Sequence, residues 1–221
     1  MTLPTVLPVF PLSGCILLPG NWLPLHVFEP RYRNMVADAM QGDRTIGMIQ
    51  PRVPARDSEA PAEPVPEAPR LYRVGGAGRI ERCLSEPDGR YHILLKGIVR
   101  FRIREELPLL RGYRRFQVEC SDFVPDLEEQ RGSPDPARHL EALRDFSLRH
   151  GLALDPRAFQ HLPGIEVING LAAALPFSPA EKQALLESRD PEERASTLFT
   201  LLRMGLGEGA PDDDRAESMI H

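Results

Sequence analysis

The residue types that most often carry chemistry are thinly spread along this chain. No two of its six histidines stand four residues apart and no HExxH pattern occurs, so no helix is expected to present the paired imidazoles that bind zinc. No serine lies in a GxSxG turn, the strained elbow that exposes a hydrolase nucleophile. The sequence therefore predicts no metal site, no cofactor and no catalytic residue.

The two lysines, Lys96 and Lys182, give no sign of nucleotide chemistry. A P-loop needs Gly-Lys-Ser or Gly-Lys-Thr, whereas Lys96 follows leucine and Lys182 follows glutamate. The glycine-rich run at 75–78 leads into the charged residues 79–82 rather than an apolar helix. It therefore favours a bend in a β-strand over a nucleotide-binding loop. We expect a protein that is not an enzyme.

Charge is unevenly distributed in a chain whose formal net charge is only −5. Residues 70–120 carry a net +6, and residues 121–221 carry a net −9. This asymmetry is typical of two lobes with differently charged solvated faces. It also fits the binding of an anionic partner or the head-to-tail attraction of two copies. The three cysteines are widely spaced, which predicts reduced thiols and a cytoplasmic protein.

The pattern over residues 5–123 is typical of short β-strands. Apolar runs or alternation predict strands at 6–12, 16–18, 23–28, 45–49, 71–83, 91–104 and 113–123. Pro87-Asp88-Gly89 predicts a hairpin turn, and one helix is predicted from Pro30 to Gly42. Many short strands with a single helix predict a closed or nearly closed β-barrel.

From about residue 134 the pattern becomes helical. The predicted helix starts each place a capping side chain before proline, at Asp135-Pro136, Asp155-Pro156, Ser178-Pro179 and Asp190-Pro191. A glutamate three residues after Ser178 and Asp190 predicts two capping boxes. The six prolines of 51–69 predict a mobile loop, and the acidic residues 208–221 predict a disordered tail.

Several segments resemble the N-terminal, substrate-binding domain of Lon proteases. They are VLPVFPL at 6–12, FEPRY at 28–32, GRYHILLKGIVRFRI at 89–103 and LPFSPAEKQALLESRDPEERASTLFTLL at 175–202. The resemblance implies an α+β fold, with a PUA-like β-barrel lobe over 1–125 that contains one helix and a C-terminal α-helical bundle over 134–207. No segment resembles the ATPase module or the Ser-Lys peptidase of a complete Lon protease.

The leading hypothesis is a non-catalytic module that binds unfolded or apolar polypeptide segments or a protein partner. An apolar groove or an exposed strand edge would provide the binding surface. Position in the motif that carries the resemblance makes five residues the candidate binding site: His26, Phe28, Glu29, Arg31 and Tyr32. The competing interpretation is that these residues specify the fold.

The alternative hypothesis is RNA binding, because many PUA-like domains bind RNA. Arg100, Arg102 and Arg104 alternate along one predicted strand and so share a face that could follow phosphates. Further arginines at 79, 82, 111, 114 and 115 could extend that face. The acidic pI of about 5.7 and the small number of aromatic rings make nucleic acid the weaker expectation.

Overall fold

The computed structural model describes residues 4–52, 69–127, 135–152, 159 and 161–207. Most of the Pro-rich segment, the Asp155-Pro156 helix start and the acidic tail lie outside the described residues. The described residues form an α+β fold, as the sequence predicts.

In the described part of the chain the strands are β1 (Val6–Pro11), β2 (Trp22–Val27), β3 (Thr45–Ile49), β4 (Val74–Ser85), β5 (Tyr91–Leu110) and β6 (Tyr113–Glu119). Helix α1 (Pro30–Gln41) lies between β2 and β3, and a 3₁₀ helix (Ser121–Leu127) follows β6. The later helices are α2 (Ala137–His150), α3 (Gly164–Ala174), α4 (Pro179–Glu187) and α5 (Pro191–Gly205).

The six described strands form one sheet in the order β2-β5-β4-β3-β1-β6. The pair β1–β3 is parallel and the other neighbours are antiparallel. β5 is 20 residues long, and its distal part also pairs with β6. The pairing therefore forms a circuit through β5, β4, β3, β1 and β6, and among the described strands β2 pairs only with β5.

Two compact units can be distinguished among the described residues. One contains those of Met1–Gly132 and Asn169–Ser188, and the other contains those of Ser133–Ile168 and Arg189–His221. Helix α4 thus belongs to the unit that holds the sheet. The division into lobes at 1–125 and 134–207, and the assembly of the later helices into a bundle, stay predictions.

Helix α1 confirms the predicted element and covers part of the sheet. Four side chains at helical spacing are buried: Tyr32, Met35, Val36 and Ala39. They lie in a core cluster with residues from the strands, including Val27, Ile46, Ile80, Ile93 and Leu95. The helix ends at Gly42, also as predicted, with the Gly42 N–H donating to the carbonyl of Ala39 at 3.0 Å.

The glycine-rich run of β4 allows another backbone segment to lie directly against the strand. A Cβ atom at Gly76 would stand 1.8 Å from the Leu17 carbonyl oxygen, and one at Gly97 of β5 would stand 2.0 Å from that of Leu18. Leu17 and Leu18 are buried at this crossing. The prediction of a strand over a nucleotide loop is confirmed, whereas 16–18 is not a strand, because it crosses β4 and β5 instead of pairing with them.

The ends of two further strands differ from the prediction. β5 continues past residue 104 to Leu110 and turns at Arg111 and Gly112, both of which have positive φ angles, into β6. β6 ends at Glu119 rather than at Phe123, because the chain there turns into the 3₁₀ helix.

Side chains cap the starts of α4 and α5. Ser178 and Glu181 form the predicted capping box at α4, and the Asp190 carboxylate accepts from the Glu193 N–H at 2.8 Å. The second predicted box is incomplete, since the Glu193 carboxylate accepts from the Arg189 N–H rather than from Asp190. Asp135 accepts from the Ala137 N–H at 2.9 Å at the start of α2.

The close approach at Gly76 makes a stability prediction. Gly76→Ala should lower the free energy of unfolding by roughly 1–3 kcal/mol or more, because the added methyl overlaps a backbone oxygen that cannot move alone. The matched control is Gly170→Ala in α3, where a Cβ would meet no atom within 4 Å. That change should be neutral or stabilising by up to about 1 kcal/mol. Urea denaturation measures both, and equal effects would contradict the steric account.

Candidate functional site

One face of the sheet carries the exposed side chains of β2 and of its neighbours. Alternation along β2 turns Leu23, Leu25 and Val27 towards the core and leaves Trp22, Pro24 and His26 exposed. The outward residues of the paired strands complete what we call the β2 face: Trp22, Pro24 and His26 of β2, His92, Leu94 and Lys96 of β5, and Arg82 and Leu84 of β4. Phe28 follows β2 directly and extends this face.

The β2 face exposes large apolar side chains that a folded chain usually buries. Trp22 is 54%, Phe28 59% and Leu84 69% exposed. Trp22 is the chain's only tryptophan, and the ammonium of Lys96 lies 5.4 Å from its ring centroid. Exposed aromatic groups beside a cation are a usual composition of protein-binding surfaces.

The strand register places these side chains in rows across three strands. Pro24 is opposite Leu94, which in turn is opposite Arg82. His26 is opposite His92, which is opposite Leu84. The rows join the apolar groups of one strand to those of the next, so the face is continuous rather than a set of isolated side chains.

Two imidazoles and a carboxylate meet at the end of this face next to Phe28. The rings of His26 and His92 stack with centroids 4.5 Å apart and planes at 9°. His92 Nε2 lies 2.7 Å from Glu86 Oε1, and the Phe28 ring lies 6.0 Å from that of His26. A nitrogen of each ring and a carboxylate oxygen of Glu86 all lie within 4.8 Å of one another.

The structure separates the five predicted binding residues into two groups. His26 and Phe28 are exposed on the β2 face. Tyr32 is buried, and its ring packs edge-on against Phe10 with centroids 4.2 Å apart. Burial also raises the pKa of the Tyr32 hydroxyl. Tyr32 is thus a core residue, as the competing interpretation held, because its place on α1 turns it inward.

Glu29 and Arg31 serve the start of α1. The Glu29 carbonyl accepts from the backbone N–H groups of Tyr32 and Arg33. Arg31 Nε donates to Glu29 Oε2 at 3.0 Å, and its guanidinium carbon lies 4.6 Å from the centroid of the Tyr32 ring. These contacts fix the corner between β2 and α1, so a role in binding stays a prediction for this pair.

The alternating arginines of β5 do not form one exposed face. Arg100 is buried and binds Asp126 through two guanidinium nitrogens, each at 2.9 Å. It also donates to the carbonyl oxygens of Leu186 and Ser188. The expectation of three arginines on one solvent-facing stripe is therefore wrong for Arg100, whose charge is neutralised inside the unit.

Four other arginines of the predicted phosphate-binding face have acidic neighbours. Arg102 pairs with Asp122 and Arg104 with Glu119. Among the further arginines, Arg111 pairs with Asp38, and Arg114 with Glu106. The Arg114 guanidinium holds the pKa of the Glu106 carboxyl below its ordinary value by donating hydrogen bonds to it. Each of these pairs reduces the positive potential that would attract phosphate.

Sequence reasoning missed several members of the site: Trp22, Pro24, Leu84, Glu86, His92, Leu94 and Lys96. The predicted hairpin at Pro87-Asp88-Gly89 contained part of the signal, because counting back from its turn places Leu84 opposite His92. The pairing of β2 with β5 had no comparable local signal, since His92 follows His26 by 66 positions.

Comparison with protein families gives a match over most of the chain. Residues 6–204 match the model for the "ATP-dependent protease La (LON) substrate-binding domain". The chain belongs to this family. The resemblance noted from the sequence motifs is thereby confirmed.

Similar curated proteins are full-length Lon proteases. The "Lon protease 2" of Myxococcus xanthus is 32% identical over 90% of this chain, which spans 24% of that protein. The "Lon protease" of Xanthomonas oryzae is 28% identical over 97% of this chain, again over 24% of its length. The chain thus spans about a quarter of the curated relatives that it matches.

Solved structures share the fold. The structure "Lon N-terminal domain protein from Xanthomonas campestris" is 26% identical, with a TM-score of 0.58, and covers 89% of this chain and 98% of that one. The N-terminal domain of the Mycobacterium avium complex Lon protease has a TM-score of 0.59 at 16% identity, over 93% of this chain and all of that one. Among the described residues, no helix has the length and apolar character that crossing a bilayer requires.

The buried Arg100–Asp126 pair makes a prediction that separates a structural arginine from a surface one. Arg100→Met should destabilise the chain by roughly 3–5 kcal/mol, because Asp126 would be left as a buried charge without its partner. Arg102→Met on the same strand removes the exposed pair with Asp122 and a distant contact with the Phe123 ring, and it should cost less than about 1 kcal/mol. Chemical denaturation of both variants tests this, and similar losses would show that burial does not set the difference.

Proposed function

We propose that this chain is a non-catalytic module that binds unfolded, apolar polypeptide segments on its β2 face. One observation carries the proposal: Trp22, Phe28 and Leu84 are more than half exposed on or beside one face of three neighbouring strands. The family's substrate-binding description supports the same kind of ligand. Any proteolysis of a bound polypeptide would depend on catalytic machinery outside the matched domain.

The chemistry of the β2 face favours contact through side chains. When a bound polypeptide covers aromatic and aliphatic groups, the complex is stabilised by about 25 cal/mol for each Å² of apolar area that is buried. β2 also lies at the end of the strand order, where an extended peptide could add main-chain hydrogen bonds. Pro24 has no N–H to donate at the middle of β2, so we infer that side chains rather than a continuous strand addition dominate binding.

We further propose that the sheet is a PUA-like barrel, that 134–207 is a helical bundle, and that the protein is cytoplasmic. The circuit of pairing from β5 back to β5 supports the first of these. RNA binding stays the weaker alternative, because the burial of Arg100 and the ion pairs of Arg102 and Arg104 reduce the charge available to phosphates.

The single tryptophan allows a direct test without a label on the protein. Adding an unfolded apolar polypeptide should shift the Trp22 emission to shorter wavelength and protect it from acrylamide quenching, because the client covers the ring. Phe28→Ser combined with Leu84→Ser should weaken this binding by about tenfold or more, equivalent to about 1.4 kcal/mol or more. The binding should change little with salt, since apolar contacts are not screened.

The matched control is Leu109→Ser. Leu109 is 63% exposed on β5 but lies in the part of that strand next to β6 rather than on the β2 face. Equal weakening by Leu109→Ser and by the double variant would contradict this placement of the site. Binding of a single-stranded RNA that falls steeply with salt, without binding of the polypeptide, would favour the alternative.

A further inference from the structure

We propose that His26, His92 and Glu86 form a binding site for one divalent transition-metal ion of the zinc class. The inference does not rest on polypeptide binding. It rests on the convergence of two imidazoles and one carboxylate from separate backbone segments: β2, β5 and the β4–β5 turn. Imidazole nitrogen with carboxylate oxygen is a donor set that zinc accepts readily.

The backbone holds the three donors near one another before any ion arrives. His26 and His92 are directly opposite in the antiparallel pair β2–β5, so their Cα atoms cannot separate without breaking the sheet. Two backbone hydrogen bonds close the turn that carries Glu86. The Glu86 N–H donates to the Arg90 carbonyl at 2.8 Å, and the Gly89 N–H donates to the Glu86 carbonyl at 2.9 Å. All three side chains therefore start from fixed positions.

The distances require only side-chain adjustment. Ligand atoms about 2.1 Å from a tetrahedral ion lie about 3.4 Å from one another. The three donor atoms here lie within 4.8 Å, and His92 Nε2 and Glu86 Oε1 are already at 2.7 Å. The two imidazole planes lie only 9° apart, so their in-plane lone pairs do not converge as they stand. Both rings would turn about their side-chain bonds to bring a metal ion between the three atoms in place of the present hydrogen bond.

Neighbouring charges leave Glu86 suited to this role. Arg90 Nε contacts the other carboxylate oxygen, Glu86 Oε2, at 3.1 Å, and leaves Oε1 directed at the imidazole. A carboxylate fixed by such a partner is a better-oriented ligand. Asp88 pairs with Arg90 at 2.6 Å, and the Arg33 guanidinium lies against Gly89, so the two carboxylates of the turn are matched by two guanidinium groups. His26 and His92 are exposed, which gives an ion free access and leaves coordination positions for water.

A metal ion here would link the outer strand β2 to the β4–β5 turn beside the exposed Phe28.

We expect isothermal titration of the full chain with Zn²⁺ to show a site that His26→Asn and His92→Asn each weaken at least tenfold. Glu86→Gln should weaken it several-fold, because the amide keeps the shape but not the charge. Circular dichroism would confirm that the variants fold.

The control is His161→Asn, which removes another exposed imidazole and leaves the cysteines of the chain unchanged. It should bind Zn²⁺ as the unaltered chain does. The imidazole nitrogen resonances of His26 and His92 should also shift on Zn²⁺ addition. Unchanged affinity in any of the three site variants, or equal weakening by His161→Asn, would overturn the assignment.

Discussion

The buried ion pair between Arg100 and Asp126 is the interaction on which the sheet-containing unit most depends. A charge placed inside a protein must be paired and hydrogen-bonded, because transfer from water costs several kcal/mol. Asp126 supplies the opposite charge, and its carboxylate also accepts the Arg100 backbone N–H at 2.9 Å. At the end of α4, the carbonyls of Leu186 and Ser188 accept hydrogen bonds from Nη1 of the Arg100 guanidinium. One side chain thus connects β5, the 3₁₀ helix and α4.

Strand β5 likewise connects several elements of this unit. It pairs with β2, β4 and β6, and its residues alternate between the core, where Ile93 and Leu95 lie, and the β2 face. Glycines on β4 and β5 let residues 17 and 18 cross them at backbone distance. The strand that holds the core together therefore also places His92, Leu94 and Lys96 on the β2 face.

In the candidate site, residues of one short sequence motif differ in whether their side chains reach the surface. His26 and Phe28 are exposed, but Tyr32 lies in the core although it belongs to the same short motif. The reason is the change from strand to helix at Glu29, since an extended strand turns alternate residues outward whereas α1 turns every third or fourth residue inward. A contiguous motif can therefore combine surface residues with residues that only specify the fold.

The sequence by itself determined the elements whose signals are local. The proline and glycine limits of α1, the hairpin at 87–89, the Ser178 capping box and the glycine-rich strand all depend on neighbouring residues. Tertiary structure alone decided what depends on distant pairing. It brought His26 against His92, buried Arg100 on Asp126 and ended β6 at Glu119. Strand pairing and burial are set by the whole fold, because the energy of each contact depends on partners far along the chain.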